Sequence, residues 1–476
     1  MLKLFKHQEE ALPLLKNMEK TGRGGFLCDE MGLGKTITMA YHLMRNKIHR
    51  MMDLIVCPVS LMKHWKRELE RVYKAEGKEP PKIYFYHGPK RKLRLGDDYV
   101  ITTYSILGRL ELNQERWGRV VLDESHYIRN GIQKKSTKCA MGAYAVGTHS
   151  LFNWCITGTP FCNRLKDVAS QCKFVGTYPY NHAAWWKQKS GGKNPENHAV
   201  WRDKYVLRRT KEHLLAPPIY HNVKVNANKE EEKLFNVMRQ EAKDAWVKWK
   251  TSTGRKKMKL QGHILGLIQR LRIVSNSFLC GDSGYTGDEA YKENAKVKAI
   301  VEELDTQVCK SPSKSVVVFS QFTSFLDVLE VVVDEEMFGV EVFKFNGSMS
   351  AQERDDVIND FTTATHPRVL LISLLAGGCG LTLLPTSTVF LCEPYYNPFA
   401  EKQAEERVHR IGQTHQVHVY RFSMVGSVEE WIEGLKLKKK FLATGLELVT
   451  GKDVVDTFSF EDLADLFKEV VSFKKE

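Results

Sequence analysis

No C-x-x-C pair occurs among the 10 cysteines of this 476-residue sequence, and the cysteines are scattered. That argues against a zinc knuckle and against a disulfide framework, and it suits a reducing compartment. No uninterrupted apolar run is long enough to span a membrane. The opening stretch MLKLFKHQEEALPLL lacks the sustained apolar region and small-residue cleavage site of a secretory signal. Tandem repeats and long low-complexity linkers are also missing. What is present is an ordinary soluble mixture, 42% hydrophobic and 27% charged, large enough for two or three cores. Lys+Arg number 71 against 57 Asp+Glu, a net charge of +14. The surplus favours a polyanionic partner, and charge alone does not choose between DNA, RNA and a membrane surface.

Short unalternated apolar runs recur, each closed by a turn or polar residue. They are Leu54 to Cys57, Val120 to Leu122, Trp154 to Ile156, Val316 to Phe319, Val369 to Ile372 and Val389 to Leu391. Such runs suit buried parallel strands. Helix-like segments lie between them, including Leu61 to Val72 and Gln352 to Phe361. Alternation of this kind predicts an α/β fold. The strands form two groups, before about residue 165 and after about residue 313, with helix-forming, charged and aromatic sequence from Lys229 to Phe278. The expected organisation is a first lobe over 1–165, helical insertions and linker over 166–290, and a second lobe over 291–476. KSGGKNPEN (Lys189 to Asn197) reads as a mobile loop and GDSGYTGDEA (Gly281 to Ala290) as a hinge.

CDEMGLGKT, Cys28 to Thr36, falls one residue short of the strict phosphate-binding pattern. Gly34, Lys35 and Thr36 fit, but Asp29 stands where the first glycine belongs. Gly32 and Gly34 allow close backbone approach, Lys35 is placed to reach the β/γ-phosphates, and Thr36 to ligate Mg²⁺. Further along, an apolar run ends in DESH, Asp123 to His126. Acidic residues at a strand's carboxyl end are expected beside a phosphate loop on the neighbouring strand. There Asp123 would hold Mg²⁺ through water, and Glu124 would orient and polarise the attacking water. The loop alone already favours phosphate binding over an ordinary loop leading into a helix, whereas the acidic motif alone reads most simply as a solvated turn. Together they point to ATP hydrolysis.

With these motifs in hand, nearly the whole chain resembles a superfamily-2 ATPase of the SNF2 (Swi2/Snf2) type. In that family the loop reads DEMGLGKT, so Asp29 is a signature of the family. FKHQEEAL (Phe5 to Leu12), IVCPVSLMKHW (Ile55 to Trp65), TTYS (Thr102 to Ser105) and ITGTPFCN (Ile156 to Asn163) are similar to first-lobe motifs. VLRRTKEHLLAPP (Val206 to Pro218) and IQRLRIVSNSF (Ile268 to Phe278) resemble segments flanking the family's protruding helices. The second lobe carries VVFSQFTSFLDVL, FNGSMSAQER, LLAGGCGLTLL and EPYYNPFAEKQAEERVHRIGQ. The resemblance implies two RecA-like lobes with parallel sheets, the first DEAH-like, that bind ATP and Mg²⁺. It implies adenine reading by Gln8, further ATP contacts from Asp29, Met31, Gly32, Leu33, Gly34, Lys35, Thr36, Gly378, Gly380 and Gln403, and double-stranded DNA as partner. There are departures. His64 replaces an amide, Thr382 an Asn, Glu393 to Tyr396 the usual Asp-Pro-Trp-Trp, and Glu406 an Asp. None removes a catalytic charge.

In QAEERVHR, the spacing of Gln403, Arg407 and Arg410 predicts one face of a helix. Two guanidiniums so placed can address one phosphate tail and stabilise the transferred phosphoryl group. A motor that grips any sequence should hold phosphates and leave bases unread. Hydroxyls and backbone N–H groups near strand ends suit this. Each alone reads as a turn or cap residue, and the resemblance, through motif position, implies Ser60, Thr103, Tyr104, Ser320, Gln321, Gly347 and Ser348 as the DNA contacts. AWVKWKTSTGRKKMK (Ala245 to Lys259) either braces a duplex or binds a partner, or is a basic solvated helix and loop with its tryptophans packed inward. The expectation is an ATP-dependent double-stranded DNA translocase that slides, remodels or strips DNA-bound proteins, nucleosomes among them where the host has chromatin. No bromodomain, chromodomain or zinc module is legible, so targeting is expected to come from partners. The expected place is the nucleus or a viral replication compartment, or the cytoplasm and nucleoid of a prokaryote. Three alternatives stay open: a strand-separating or RNA-directed motor, a nucleotide-gated DNA clamp without turnover, and a structural chromatin-binding protein.

Overall fold

The computed structural model describes residues 3–89, 91–93, 96–132, 136–158, 166–182, 184–187, 195–211, 215–277, 280, 294–374, 381, 383–396, 398–434 and 436. It divides into two compact units, the first holding residues 1–215 and the second residues 216–439.

The first unit is built on seven strands: β1 (Gly24–Leu27), β2 (Met52–Val56), β3 (Ile83–Phe85), β4 (Tyr99–Thr102), β5 (Trp117–Asp123), β6 (Ser150–Ile156) and β7 (Val206–Leu207). They form one sheet in the order β3-β4-β2-β5-β6-β1-β7, and every described pairing is parallel. Parallel strands need crossovers, and helices supply them. These are α1 (Lys6–Thr21), α2 (Lys35–Arg45), α3 (Met62–Ala75), α4 (Leu110–Gln114), α5 (Lys138–Thr148), α6 (Lys166–Val175) and α7 (Pro195–Tyr205). Leu54 and Val56 pack into one apolar layer, Ile55 and Cys57 into the other. Burial on both faces explains why the strands read as unbroken apolar runs.

The second unit repeats the plan with β8 (Ile219–Val225), β9 (Ser315–Ser320), β10 (Glu341–Phe345), β11 (Arg368–Ser373), β12 (Thr388–Leu391) and β13 (His418–Met424). The order is β10-β11-β9-β12-β13-β8, again parallel throughout the described pairings. Its helices are α8 (Lys229–Thr251), α9 (Gly254–Asn276), α10 (Ala295–Lys310), α11 (Thr323–Glu336), α12 (Ala351–Thr363) and α13 (Pro398–Glu405). Val316 and Val318 face one layer, Val317 and Phe319 the other. The two-lobe α/β architecture expected from the sequence is present.

Two strands depart from that expectation. The sequence pattern places none between about residues 165 and 313, yet β7 and β8 lie there, each at a sheet edge. Pro195, Glu196 and Asn197 of the expected mobile loop begin α7, while residues 189–194 and 281–290 lie outside the described residues. The long helices α8 and α9 fill the charged middle segment as expected. Asn228 starts α8 with a capping box, accepting from Glu230 and Glu231 N–H while Glu231 takes the Asn228 N–H.

Candidate active site

The phosphate-loop motif follows β1 and runs into α2. Gly34 is the helix N-cap with φ of 78°, a left-handed value that favours glycine. A Cβ there would also lie 2.4 Å from Gln8 Nε2. The Gln8 amide is committed to the loop: Oε1 accepts from Phe5 N–H at 3.1 Å and Nε2 donates to Leu33 O at 3.1 Å. His7 Nε2 sits 3.0 Å from the same carbonyl. Lys35 Nζ donates to Asp29 O at 2.9 Å and Glu30 O at 3.4 Å. Thr36 lies in the first turn of α2, where N–H groups and the helix dipole favour an anion. Gly158 brings a third motif to the loop, since a Cβ there would meet Met31 Cγ at 2.6 Å and Lys35 Nζ at 3.5 Å.

Asp29, at the position of the missing glycine, is completely buried. Arg209, two residues beyond β7, grips both its oxygens, with Nε donating to Oδ1 at 2.9 Å and a second contact from the other prong. Backbone bonds continue the β1–β7 ladder past the strands. Cys28 N–H donates to Leu207 O at 2.7 Å and Glu30 N–H to Arg209 O at 2.9 Å. Lys211 N–H donates to Glu30 Oε2 at 2.8 Å. Arg209 was not among the residues expected to matter. VLRRTKEHLLAPP showed a conspicuous arginine pair, but nothing in the spacing links it to Asp29, 180 residues away.

The acidic pair closes β5. Strand order corrects one expectation: β6 lies between β5 and β1, so the pair and the phosphate loop share a sheet edge without being on neighbouring strands. Asp123 is buried; Oδ2 accepts from Trp65 Nε1 at 2.8 Å and Oδ1 from Glu124 N–H at 3.0 Å. Burial, then the adjacent Glu124 charge, pushes its carboxyl above the ordinary range against opposing influence from Trp65 and Lys35. Glu124 has φ of 53° and ψ of 50°, a strained conformation for a non-glycine residue. Its carboxylate lies 3.2 Å from His126 Nδ1.

Of the expected first-lobe DNA contacts, Ser60 is half-buried, while Thr103 and Tyr104 are buried. Tyr104 Oη donates to Asp123 O at 2.7 Å and Thr103 Oγ1 pairs with Ser105 Oγ at 3.1 Å. Tyr104 therefore supports the acidic pair from beneath. Its ring stacks on the half-exposed Tyr127 at 4.9 Å.

In the second lobe, Ser320 is also buried. Its hydroxyl donates to Glu393, which takes Gln321 N–H at 2.6 Å and Asn276 Nδ2 at 3.0 Å as well. Asn276 Oδ1 in turn accepts from Lys296 Nζ at 2.7 Å, and that ammonium is paired with buried Glu429. Glu393, where the family usually has Asp, is thus the hub of a buried polar chain. The Arg272 guanidinium lies 4.1 Å from the Tyr396 ring centroid. Gly347 and Ser348 are exposed, just before the capped N-terminus of α12. In the basic segment, Trp246 is buried and stacks on Trp249 at 4.8 Å, while Lys257 lies 4.4 Å from the Trp249 ring centroid.

The arginine pair requires a second correction. α13 ends at Glu405, so Gln403 is helical but Arg407 and Arg410 occupy the turns that follow. Helical spacing does not align them. Leu383 N–H donates to Arg407 O at 3.0 Å and Gln413 Nε2 donates to Thr386 O at 2.8 Å, which pins these turns to the segment before β12. Gly378 and Gly380 lie outside the described residues.

Residues 7–278 match the SNF2-related domain, and residues 295–412 the helicase conserved C-terminal domain. The chain belongs to the SNF2 family. It is 28% identical to the "Probable global transactivator" of Orgyia pseudotsugata multicapsid polyhedrosis virus, over 92% of this chain and 90% of that protein. It is 25% identical to "Transcription termination factor 2" of Drosophila melanogaster over 98% of this chain. It is 26% identical to "DNA repair protein RAD5B" of Arabidopsis thaliana over 94% of this chain. The chain spans 58% of the fly protein's length and 47% of the plant protein's. A solved "Sulfolobus solfataricus SWI2/SNF2 ATPase core in complex with dsDNA" covers 100% of this chain and 98% of that one at 24% identity. The TM-score between the two is 0.42.

The chain carries an SNF2-type, helicase-related ATPase, and its residues suit a nucleotide. Lys35, the amides that open α2, and the Asp123–Glu124 pair lie along one carboxyl edge of the first sheet. No group of three or more His, Cys, Asp or Glu among the described residues forms a metal cage. One hydroxyl and one carboxylate suit Mg²⁺, which takes its other ligands from phosphates and water.

Proposed function

We propose that this SNF2 ATPase is a double-stranded DNA translocase that slides, remodels or strips DNA-bound proteins. The observation that carries the reading is an intact hydrolytic set, Lys35, Asp123 and Glu124, on an SNF2-type first lobe, with Arg407 and Arg410 retained in the second. A clamp or scaffold has no use for all five. Thr36 and Asp123 would hold Mg²⁺, which when bound neutralises charge on the phosphates. Lys35 exchanges its carbonyl partners for the β/γ-phosphates. Glu124 receives the proton of the attacking water. Arg407 and Arg410 meet the developing phosphoryl charge, so hydrolysis depends on residues of both lobes. Alternating grips on the sugar-phosphate backbone then advance the motor.

DNA contact falls to the exposed or half-buried residues Ser60, Gln321, Gly347 and Ser348, with Thr103, Tyr104 and Ser320 supporting them from below. The exposed turn before α12 presents Gly347 and Ser348 near a helix start, where the helix dipole favours a phosphate and no base is read. Nucleosomes or other DNA-bound complexes are the proposed load, with targeting by partner proteins and action wherever the host or viral genome resides.

The test compares ATP hydrolysis with duplex DNA, single-stranded DNA, RNA and nucleosomes, alongside displacement of a third strand from a triplex. Duplex DNA should stimulate strongly, with little sequence preference and steep salt dependence. Stimulation by RNA alone, or efficient unwinding of a blunt duplex, would replace this reading with a strand-separating or RNA-directed motor.

A further inference from the structure

We infer that Arg209 is a positioning residue for ATP, and that the segment by which the chain leaves the first lobe sets the shape of the phosphate loop. Asp29 is the link. Its carboxylate is held by the Arg209 fork, while its carbonyl accepts from Lys35 Nζ at 2.9 Å. One residue therefore joins the catalytic ammonium to a guanidinium far along the chain. Glu30 doubles the link. Its carbonyl also accepts from Lys35, its N–H donates to Arg209 O at 2.9 Å, and its carboxylate accepts from Lys211 N–H at 2.8 Å.

The strict phosphate loop has glycine where Asp29 stands, and glycine offers no side chain to hold. Here the side chain is present, buried and charged. Burying a carboxylate is costly unless it is paired with good geometry. The Arg209 fork supplies that geometry, and a lysine point charge does not. Leu207, Arg209 and Lys211 lie on the last stretch before the chain passes, after Leu215, into the second unit. Any pull on that stretch reaches Asp29 through the Arg209 fork, and Glu30 through its backbone bond to Arg209 O and the Lys211 amide. Nucleotide affinity is thereby tied to the exit segment inside the first lobe itself, independently of the arginines in the second. The aspartate is the handle by which the loop is held.

The inference rests on the phosphate-loop reading and not on DNA as substrate, so its test uses no DNA. The full chain is titrated with a fluorescent ATP analogue in the presence of Mg²⁺, and thermal melting is recorded for each variant. Arg209→Lys should weaken binding roughly tenfold, the loss of one good charge-assisted hydrogen bond, with the kinetic effect falling mainly on KM. Arg209→Gln should weaken it further, by leaving Asp29 buried and unpaired. The double variant Asp29→Gly, Arg209→Gln removes both charges, restores the strict glycine and should recover most of the binding. An unchanged affinity in Arg209→Lys overturns the inference. So does a loss that tracks a lowered melting temperature and is not recovered in the double variant, which would make the pair structural only. Lys35→Ala separates the two levels. If it binds the analogue normally, the phosphate-loop reading itself fails; if it does not and Arg209→Lys does, only this inference fails.

Discussion

The Tyr104 hydroxyl donates to the carbonyl oxygen of Asp123 at 2.7 Å, across the last peptide before Glu124 turns left-handed. This bond fixes the peptide that aims both acidic side chains. Tyr104→Phe removes one hydrogen bond and leaves the ring in place. A net value of about 1 kcal/mol for such a bond corresponds to a loss of roughly fivefold if it acts wholly on the hydrolytic step. The expected outcome is a fall in kcat of that size with ATP affinity little changed, read from steady-state kinetics. A kcat equal to wild type would show that Tyr104 does not orient the pair.

Glu124→Gln tests the chemical step more directly. The amide keeps the shape but cannot take a proton from water. Turnover should fall by about 10² to 10⁴ while ATP still binds. Equilibrium binding and single-turnover hydrolysis separate the two. Hydrolysis at the wild-type rate would move the general base elsewhere.

Beneath the site, Glu19 of α1 ties three elements together. Its carboxylate takes Arg119 Nε at 2.7 Å and Nη2 at 2.8 Å, Trp154 Nε1 at 2.9 Å and His42 Nε2 at 2.9 Å. Burial pushes this carboxyl up, but the Arg119 and then His42 contacts outweigh it and hold it at about 2. A depressed carboxyl contributes stability that is fully present above its ordinary value of 4.5 and is lost as pH falls toward about 2. That contribution is on the order of 3 kcal/mol. Glu19→Gln should cost a similar amount near neutrality, by leaving buried Arg119 with Asp53 as its remaining carboxylate partner. The difference in unfolding free energy between wild type and variant should shrink from pH 5 downward, within about the window set by these two values. A pH-independent difference in denaturant titrations would contradict the assignment.

How much of this was legible follows burial. Val316 to Phe319 and Leu54 to Cys57 are buried on both faces, so they announced themselves as strands. β8, IYHNVKV, is exposed or half-buried at a sheet edge except for Val225, and β7 has only two residues, so neither left an apolar run. The ATP loop and acidic pair were legible because their chemistry requires contiguous residue types. Arg209 was not, because its partner is brought to it by the β1–β7 pairing. The spacing of Gln403, Arg407 and Arg410 suggested a helix that tertiary contacts end at Glu405, where the turns bond to the loop before β12.

That ending sharpens the test of the second lobe. Arg407 is nearly buried and Arg410 half-buried, in turns anchored by their own backbone. If they serve only to hold those turns, replacing them should lower stability and leave DNA-stimulated turnover intact in whatever protein stays folded. If they meet the phosphoryl group, Arg407→Ala and Arg410→Ala should each lower ATP affinity modestly and cut turnover steeply. Supplied arginines contribute roughly 10³ to 10⁵ in rate in phosphoryl transfer. Lysine should rescue poorly at either position, since it keeps the charge and loses the planar fork. DNA binding without nucleotide should survive. The deciding measurement is turnover at saturating ATP and duplex DNA, with thermal melting to show that each variant is folded. Near-normal turnover in the folded double variant Arg407→Ala, Arg410→Ala would confine hydrolysis to the first lobe, and the proposed role of the second-lobe arginines would fall with it.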